Sequence, residues 1–131
     1  MNAGRRRTDA ARIRLVRARG MFGRLRGLLC RARAPGPGTG LLLSPCNAIH
    51  TFGMRYGIDA AFIDRRGRVL RLVRSLRPGR MACCLRAAAV VELAVNERDT
   101  PLRYRRRLRA AVRRAGFGAY AAGTKNRSRS A

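Results

Sequence analysis

The feature that most constrains the fold is a pair of strand-like runs, residues 58–64 and 68–76, which flank a tight Asp-Arg-Arg-Gly sequence. Both runs are rich in aliphatic and aromatic residues, which favour strands. Gly67 gives the intervening reversal the backbone freedom that it needs. The pattern predicts an antiparallel β-hairpin, and alternation along its first strand places Asp59 and Ala61 on the same face.

A third strand is predicted just before this hairpin, from Ile49 to Arg55. A period of two places His50, Phe52 and Met54 on one of its faces and the residues between them on the other. The two predicted strands, residues 49–55 and 58–64, therefore follow each other closely in the chain.

The remaining elements are predicted from shorter signals. Residues 41–43 are predicted to form a short apolar strand. The apolar run 85–95 is typical of a strand buried on both faces, and its periodicity also fits a buried helix. Residues 21–30 are predicted to form a short helix. Thr100-Pro101 and Gly116 mark the start and end of a second, arginine-rich helix.

Together these elements predict an α+β, mainly β fold, in which a small barrel-like sheet is flanked by one or two helices and a basic C-terminal helix. The chain of 131 residues is long enough for one domain. We predict a basic lead-in over residues 1–10, a single globular domain over 11–117 and a disordered basic tail over 118–131.

The formal charge of +25 comes almost entirely from arginine, since Lys125 is the only lysine. Such a charge indicates either a surface for nucleic acid or another polyanion, or a compositional preference for arginine at solvated positions. Arginine is spread along the whole chain, including both faces of the predicted strands, and this favours the compositional interpretation. Either interpretation predicts sequence-independent association with nucleic acid at low salt.

The four cysteines and the single histidine do not form the spaced pairs that a closed zinc site needs. We therefore predict reduced thiols, no metal and no cofactor. No apolar stretch has the length of a membrane span, and arginines interrupt the segment after residue 7 where a signal peptide would be apolar. The expected location is cytoplasmic, without membrane association.

Three motifs in a fixed order resemble the domain-of-unknown-function 192 (DUF192) family. They are RARGMFGR at residues 17–24, CNAIHTFGM at 46–54 and IDAAFID at 58–64. The resemblance covers about residues 14–95, and it implies a compact, mainly β, barrel-like domain with no assigned activity. Family members usually follow the V-E-L strand with proline, glycine and a G-D motif, whereas this chain continues into a basic segment.

The candidate site centres on the only histidine, because imidazole titrates near neutrality and can act as acid, base, ligand or donor. We expect ligand contacts from five residues: His50, Thr51, Met54, Arg55 and Asp59. The alternative is that the imidazole and the Asp59 carboxylate form a structural pair that holds the hairpin in register. A thiol at Cys46 activated by the imidazole is a third option, but it lacks an orienting group.

Glu92 stands alone in an apolar run, where a carboxylate needs a partner. We predict a structural ion pair between Glu92 and either Arg19 or Arg24. A position open to a cleft would instead make Glu92 a site residue.

Two functions follow from these observations. The first is a small-ligand-binding domain, with carbohydrate as one ligand class, whose site lies at the His50 and Asp59 hairpin. The second is an arginine-rich adaptor that binds nucleic acid or an acidic protein partner. One histidine, few acids and no metal-ligand set favour either binding role over an enzyme.

Overall fold

The computed structural model describes residues 12–18 and 38–118. In this part of the chain, seven strands form two sheets beside one helix, which confirms the mainly β class. The strands are β1 (Arg14–Ala18), β2 (Thr39–Leu43), β3 (Ala48–His50), β4 (Ile58–Ile63), β5 (Val69–Leu76), β6 (Met81–Cys83) and β7 (Ala89–Ala94), and the helix is α1 (Pro101–Arg114).

The larger sheet has the strand order β1-β2-β7-β4-β5. The β1–β2 pair is parallel and the other pairs are antiparallel. Among the described strands the order does not return on itself, so β1 and β5 are its edges and the predicted barrel-like closure is not confirmed. The predicted hairpin is confirmed as β4 and β5, with Asp64 and Gly67 closing its turn.

Two apolar cores lie on opposite faces of this sheet. On one face, Tyr104, Leu108 and Val112 of α1 pack against strand residues such as Val91. On the other face, the small β3–β6 sheet contributes residues that pack against Phe62 and its neighbours. The large sheet is therefore buried on both sides, which explains why β4 and β7 are apolar at nearly every position.

Helix α1 begins and ends where its sequence signals predict. The Thr100 hydroxyl accepts a hydrogen bond from the Arg103 amide at 3.3 Å, and Pro101 occupies the first turn. At the other end, Gly116 takes a φ of 78°. Its amide donates to Arg113 and the next amide donates to Val112, as in a Schellman motif.

The predicted strand over residues 49–55 is wrong after His50. Thr51 to Met54 form a turn in which the Met54 amide donates to the Thr51 carbonyl at 3.2 Å. Gly53, with a φ of 79°, occupies the third position, where a type II turn requires a left-handed residue. The chain therefore reverses at the point where the apolar alternation continues.

Other predictions differ in extent or fall elsewhere. The strand predicted over 85–95 is confirmed from Ala89 onward, and β6 was not predicted because three residues give too little pattern. The helix over 21–30, the lead-in over 1–10 and the tail beyond Gly118 lie outside the described residues.

Candidate functional site

The small β3–β6 sheet alternates between buried and exposed side chains. Ile49 and Ala82 point into the second core, so their strand neighbours point outward. His50 lies opposite Met81 in the antiparallel register, and both are exposed. Phe52 follows β3, and its ring stacks on the His50 imidazole at a centroid distance of 5.2 Å and an angle of 24°.

These outward side chains form a continuous exposed surface, which we call the β3–β6 platform. Its members are His50, Phe52, Met81 and Cys83. Phe52 is 50% exposed and Met81 is 68% exposed, although both are large apolar side chains. An aromatic ring, an imidazole and a thioether thus face solvent together on one side of the protein.

Thr51 lies directly beneath this platform and is fully buried. Its hydroxyl donates to the Arg77 carbonyl at 2.6 Å and accepts from the Arg80 amide at 2.9 Å. Its backbone adds two further bonds to the same loop, from its own amide to the Arg80 carbonyl and from the Gly79 amide to its carbonyl. Thr51 therefore fixes the loop between β5 and β6 and, through it, the position of the platform.

Replacing Thr51 with valine keeps the side-chain shape but removes the hydroxyl. The Arg80 amide and the Arg77 carbonyl then lose a buried partner, and we expect a loss of about 1–3 kcal/mol in the free energy of unfolding. Urea denaturation measures this loss. Thr51→Ser is the matched control, because it keeps the hydroxyl, and a valine variant no less stable than the serine variant would contradict the assigned role.

Asp59 is also fully buried, but it faces the opposite side of the large sheet, toward α1. Its Oδ2 accepts hydrogen bonds from the Tyr104 hydroxyl and the Asn96 amide, each at 2.8 Å. Its Oδ1 accepts from the Ser75 amide at 2.9 Å. Burial, followed by the hydrogen bond to Asp59, raises the pKa of Tyr104.

The expected pairing of the His50 and Asp59 segments is therefore wrong. Strand β3 pairs with β6 and not with β4, so the two residues lie in different sheets. The imidazole stacks on Phe52, whereas the carboxylate is held by Ser75, Asn96 and Tyr104. The turn at Gly53 is the physical reason, because it ends the extended segment before it can pair with β4.

The two remaining predicted contact residues, Met54 and Arg55, also lie in different environments. Met54 is buried in the second core beneath the platform, and Arg55 is exposed. Cys46 is buried, and its thiol donates to the Ala48 carbonyl at 3.2 Å, so its described hydrogen bond is to the backbone and not to the imidazole. Residues 12–18 and 38–118 hold no cluster of histidine, cysteine and acidic side chains that suits a metal.

Glu92 lies on the central strand β7, between Leu41 of β2 and Ala60 of β4. It is 8% exposed, and burial raises its pKa from 4.5 to about 7. The ion pairs within the described segments are Asp64 with Arg68 and Asp99 with two arginines of α1, and none includes Glu92. Arg19 and Arg24 lie outside the described residues, so the predicted ion pair stays a prediction.

Comparison with known families matches residues 4–100 to DUF192, a family described as uncharacterized ACR. The chain belongs to the DUF192 family. The DUF192 match includes all seven described strands and both halves of the platform, and it ends immediately before α1 begins at Pro101. The basic helix therefore lies outside the region that the family model covers.

Two solved structures share the fold of this DUF192 chain. A protein of unknown function from Novosphingobium aromaticivorans is 19% identical with a TM-score of 0.57, and the match covers 64% of each chain. A Sinorhizobium meliloti protein described as a "putative transcription regulator" is 18% identical with a TM-score of 0.55, covering 79% of this chain and 74% of that one. No curated protein is similar enough to count as a relative.

Met81 was not predicted from the sequence to be a platform residue. The signal was weak, since Met-Ala-Cys is only three residues long. The sequence also did not identify Tyr104, Asn96 and Ser75 as the partners of Asp59. A tyrosine in an otherwise arginine-rich helix was the available clue, because a buried hydroxyl needs a partner.

No helix in the described segments is long and apolar enough to cross a membrane.

Proposed function

We propose that this DUF192 protein is a small-ligand-binding domain directed at carbohydrate, and that the ligand lies on the β3–β6 platform. The observation that carries the proposal is the exposed stack of the His50 and Phe52 rings, 5.2 Å apart. A flat, half-exposed aromatic surface suits the apolar C–H face of a sugar ring, which packs on aromatic side chains in the same way as other apolar groups.

Exposure of the platform is the second support. Large apolar side chains that share one exposed patch commonly mark a binding surface, whereas single ones need no explanation. Met81 is exposed on the small sheet and Phe52 is exposed in the turn that follows β3, and the inward residues of the sheet are well packed. The platform is therefore an ordered surface that lies over a packed core.

Two exposed polar side chains near this part of the sequence are candidates for contacts with the sugar hydroxyls. The His50 imidazole offers a donor and an acceptor in its neutral form, and the exposed Arg55 guanidinium offers several donors. Of the other predicted contacts, Thr51 and Met54 support the platform from beneath. Asp59 stabilises the opposite face of the sheet, so in this proposal it acts on the fold and does not touch the ligand.

An NMR titration tests the proposal, because the chain has one histidine and its imidazole signals need no further assignment. We expect oligosaccharides of glucose or N-acetylglucosamine to shift the His50 and Phe52 ring signals with a Kd of about 1 mM, as fits a shallow site. Phe52→Ala should weaken binding about tenfold or more while the fold stays intact.

The matched control is Leu102→Ala, which removes another exposed apolar side chain, 61% exposed on α1. Leu102→Ala should bind like the wild type. Ring signals that do not move with any sugar, or that move equally in the Phe52→Ala and Leu102→Ala variants, would refute a carbohydrate site on the platform.

A further inference from the structure

The solvent face of α1 carries a line of arginines. Arg106, Arg109 and Arg113 recur at spacings of three and four residues, which places them on one side of a helix. All three are exposed, and the opposite side of α1 packs into the first core. No hydrogen bond or ion pair between their side chains and another described residue is present. We call these three residues the α1 stripe.

The other arginines of α1 already have partners within the protein. Arg103 and Arg107 pair with Asp99, Arg105 donates to the Val69 carbonyl, and Arg114 donates to the Ile13 carbonyl. The arginines of the α1 stripe face solvent, whereas the other arginines of α1 contact the protein. A compositional excess of arginine does not by itself explain this separation by helix face.

A second element extends the same positive surface. The β4–β5 turn packs against the C-terminal end of α1, since a β-carbon placed on Gly67 would lie 3.4 Å from Cγ1 of Val112. Arg65 and Arg66 of this turn are exposed. Asp64, the acid of the turn, is engaged by Arg68 at 2.9 Å. The turn therefore brings two more exposed arginines next to the C-terminal end of α1, where the stripe ends.

We infer that this surface binds the phosphate backbone of double-stranded nucleic acid, without reading its sequence. Seven residues separate the ends of the stripe, a distance of about 10 Å along the helix. Over that length a duplex presents roughly six phosphate charges, one per ~1.7 Å of its axis. Guanidinium groups bind phosphate oxygens in pairs, so a rigid line of them suits this target.

The chemistry of the stripe argues against other anionic partners. A protein interface needs apolar or aromatic anchors at its centre. The exposed Leu102 lies one turn before the stripe, at its end, and only alanine is exposed between the arginines themselves. A helix that lies on a membrane inserts its apolar face, but the apolar face of α1 is buried against the sheet. Single-stranded nucleic acid needs aromatic side chains for stacking, and the stripe has none.

The test is fluorescence anisotropy of the full chain with a labelled duplex of about 20 base pairs over a salt series. The α1 variant replaces Arg106, Arg109 and Arg113 with glutamine. The control replaces Arg55, Arg77 and Arg80 with glutamine. These three arginines are exposed and lie outside α1 and the β4–β5 turn, and both variants lose the same charge. Circular dichroism confirms that both variants remain folded.

We expect the α1 variant to bind the duplex at least tenfold more weakly than the wild type near 0.15 M salt. The slope of log association constant against log salt concentration should also be shallower by about 3. The control variant should change neither value appreciably. Equal losses in the two variants would overturn the inference, because the charge would then act without a defined surface. The inference would also be overturned if the protein bound polyglutamate or phosphatidylserine vesicles more tightly than the duplex and if the α1 variant lost that binding.

Discussion

Replacing Asp59 with alanine is expected to lower the free energy of unfolding by about 3–5 kcal/mol, because three buried donors lose their acceptor together. These donors are the Tyr104 hydroxyl and the amides of Ser75 and Asn96. They belong to α1, to β5 and to the segment after β7, so one carboxylate joins three parts of the fold. The expected loss is a large fraction of the stability of a small domain.

The bond to Ser75 has a further role. Ser75 takes a φ of 54°, a left-handed conformation that non-glycine residues rarely adopt, beside an irregularity in the β4–β5 pairing. Such a backbone costs about 1–3 kcal/mol unless its surroundings hold it in place. The Asp59 carboxylate provides that hold through the Ser75 amide, so its removal should also loosen the adjacent end of the hairpin.

Urea denaturation measures the effect, and a double-mutant cycle with Tyr104→Phe isolates the hydroxyl bond. Tyr104→Phe alone removes one donor to a charged acceptor and should cost about 1.5–3 kcal/mol. It should cost much less when Asp59→Ala is already present. Asp64→Ala is the contrast. The Arg66 and Arg68 amides that donate to Asp64 lie in an exposed turn where water can replace the carboxylate, so the expected cost is about 1 kcal/mol. Equal losses at the two aspartates would contradict the assigned role.

Local signals account for the parts of the fold that the sequence predicted. The β4–β5 hairpin depends on two adjacent strands and a four-residue turn, and α1 depends on a threonine cap, a proline and a glycine at its ends. Each of these signals lies within the element that it specifies. The helix bounds and the alternating faces of β4 therefore follow from nearby residues alone.

The partners of Asp59 could not be predicted in this way. They lie 16, 37 and 45 residues away, and no periodic pattern links positions at such separations. Pairing of β3 with β6 has the same origin, because two strands of three residues select each other only through the core beneath them. The turn at Gly53 was the one detectable signal, since glycine at the third position of Thr51–Met54 is typical of a type II turn.

Replacing Glu92 with glutamine is expected to stabilise the protein at alkaline pH and to have little effect at acid pH. Burial raises the pKa of Glu92 from 4.5 to about 7, so the folded protein binds this proton more tightly than the unfolded chain does. The stabilisation from protonation is complete below pH 4.5 and is lost as the pH rises through 7. The loss amounts to about 3 kcal/mol above that range.

Glutamine has a similar shape and never ionises in this range, so the variant escapes the loss. The difference in unfolding free energy between Glu92→Gln and the wild type should therefore rise by about 3 kcal/mol between pH 4.5 and pH 8.5. Subtracting the two curves removes the titration of every other group. Glu97→Gln is the matched control, because it removes the same charge from an exposed position, where burial does not act on the carboxyl.

The predicted ion pair of Glu92 with Arg19 or Arg24 leads to the opposite result. A paired carboxylate has a lowered pKa, so its stabilisation appears above the unfolded value and disappears in acid. Glu92→Gln would then destabilise the protein at pH 8, by about 3–5 kcal/mol if the arginine were left buried and unpaired. The sign of one difference curve thus decides between a neutral carboxyl on β7 and an ionic link to the early segment, and Arg19→Gln and Arg24→Gln would then identify the partner.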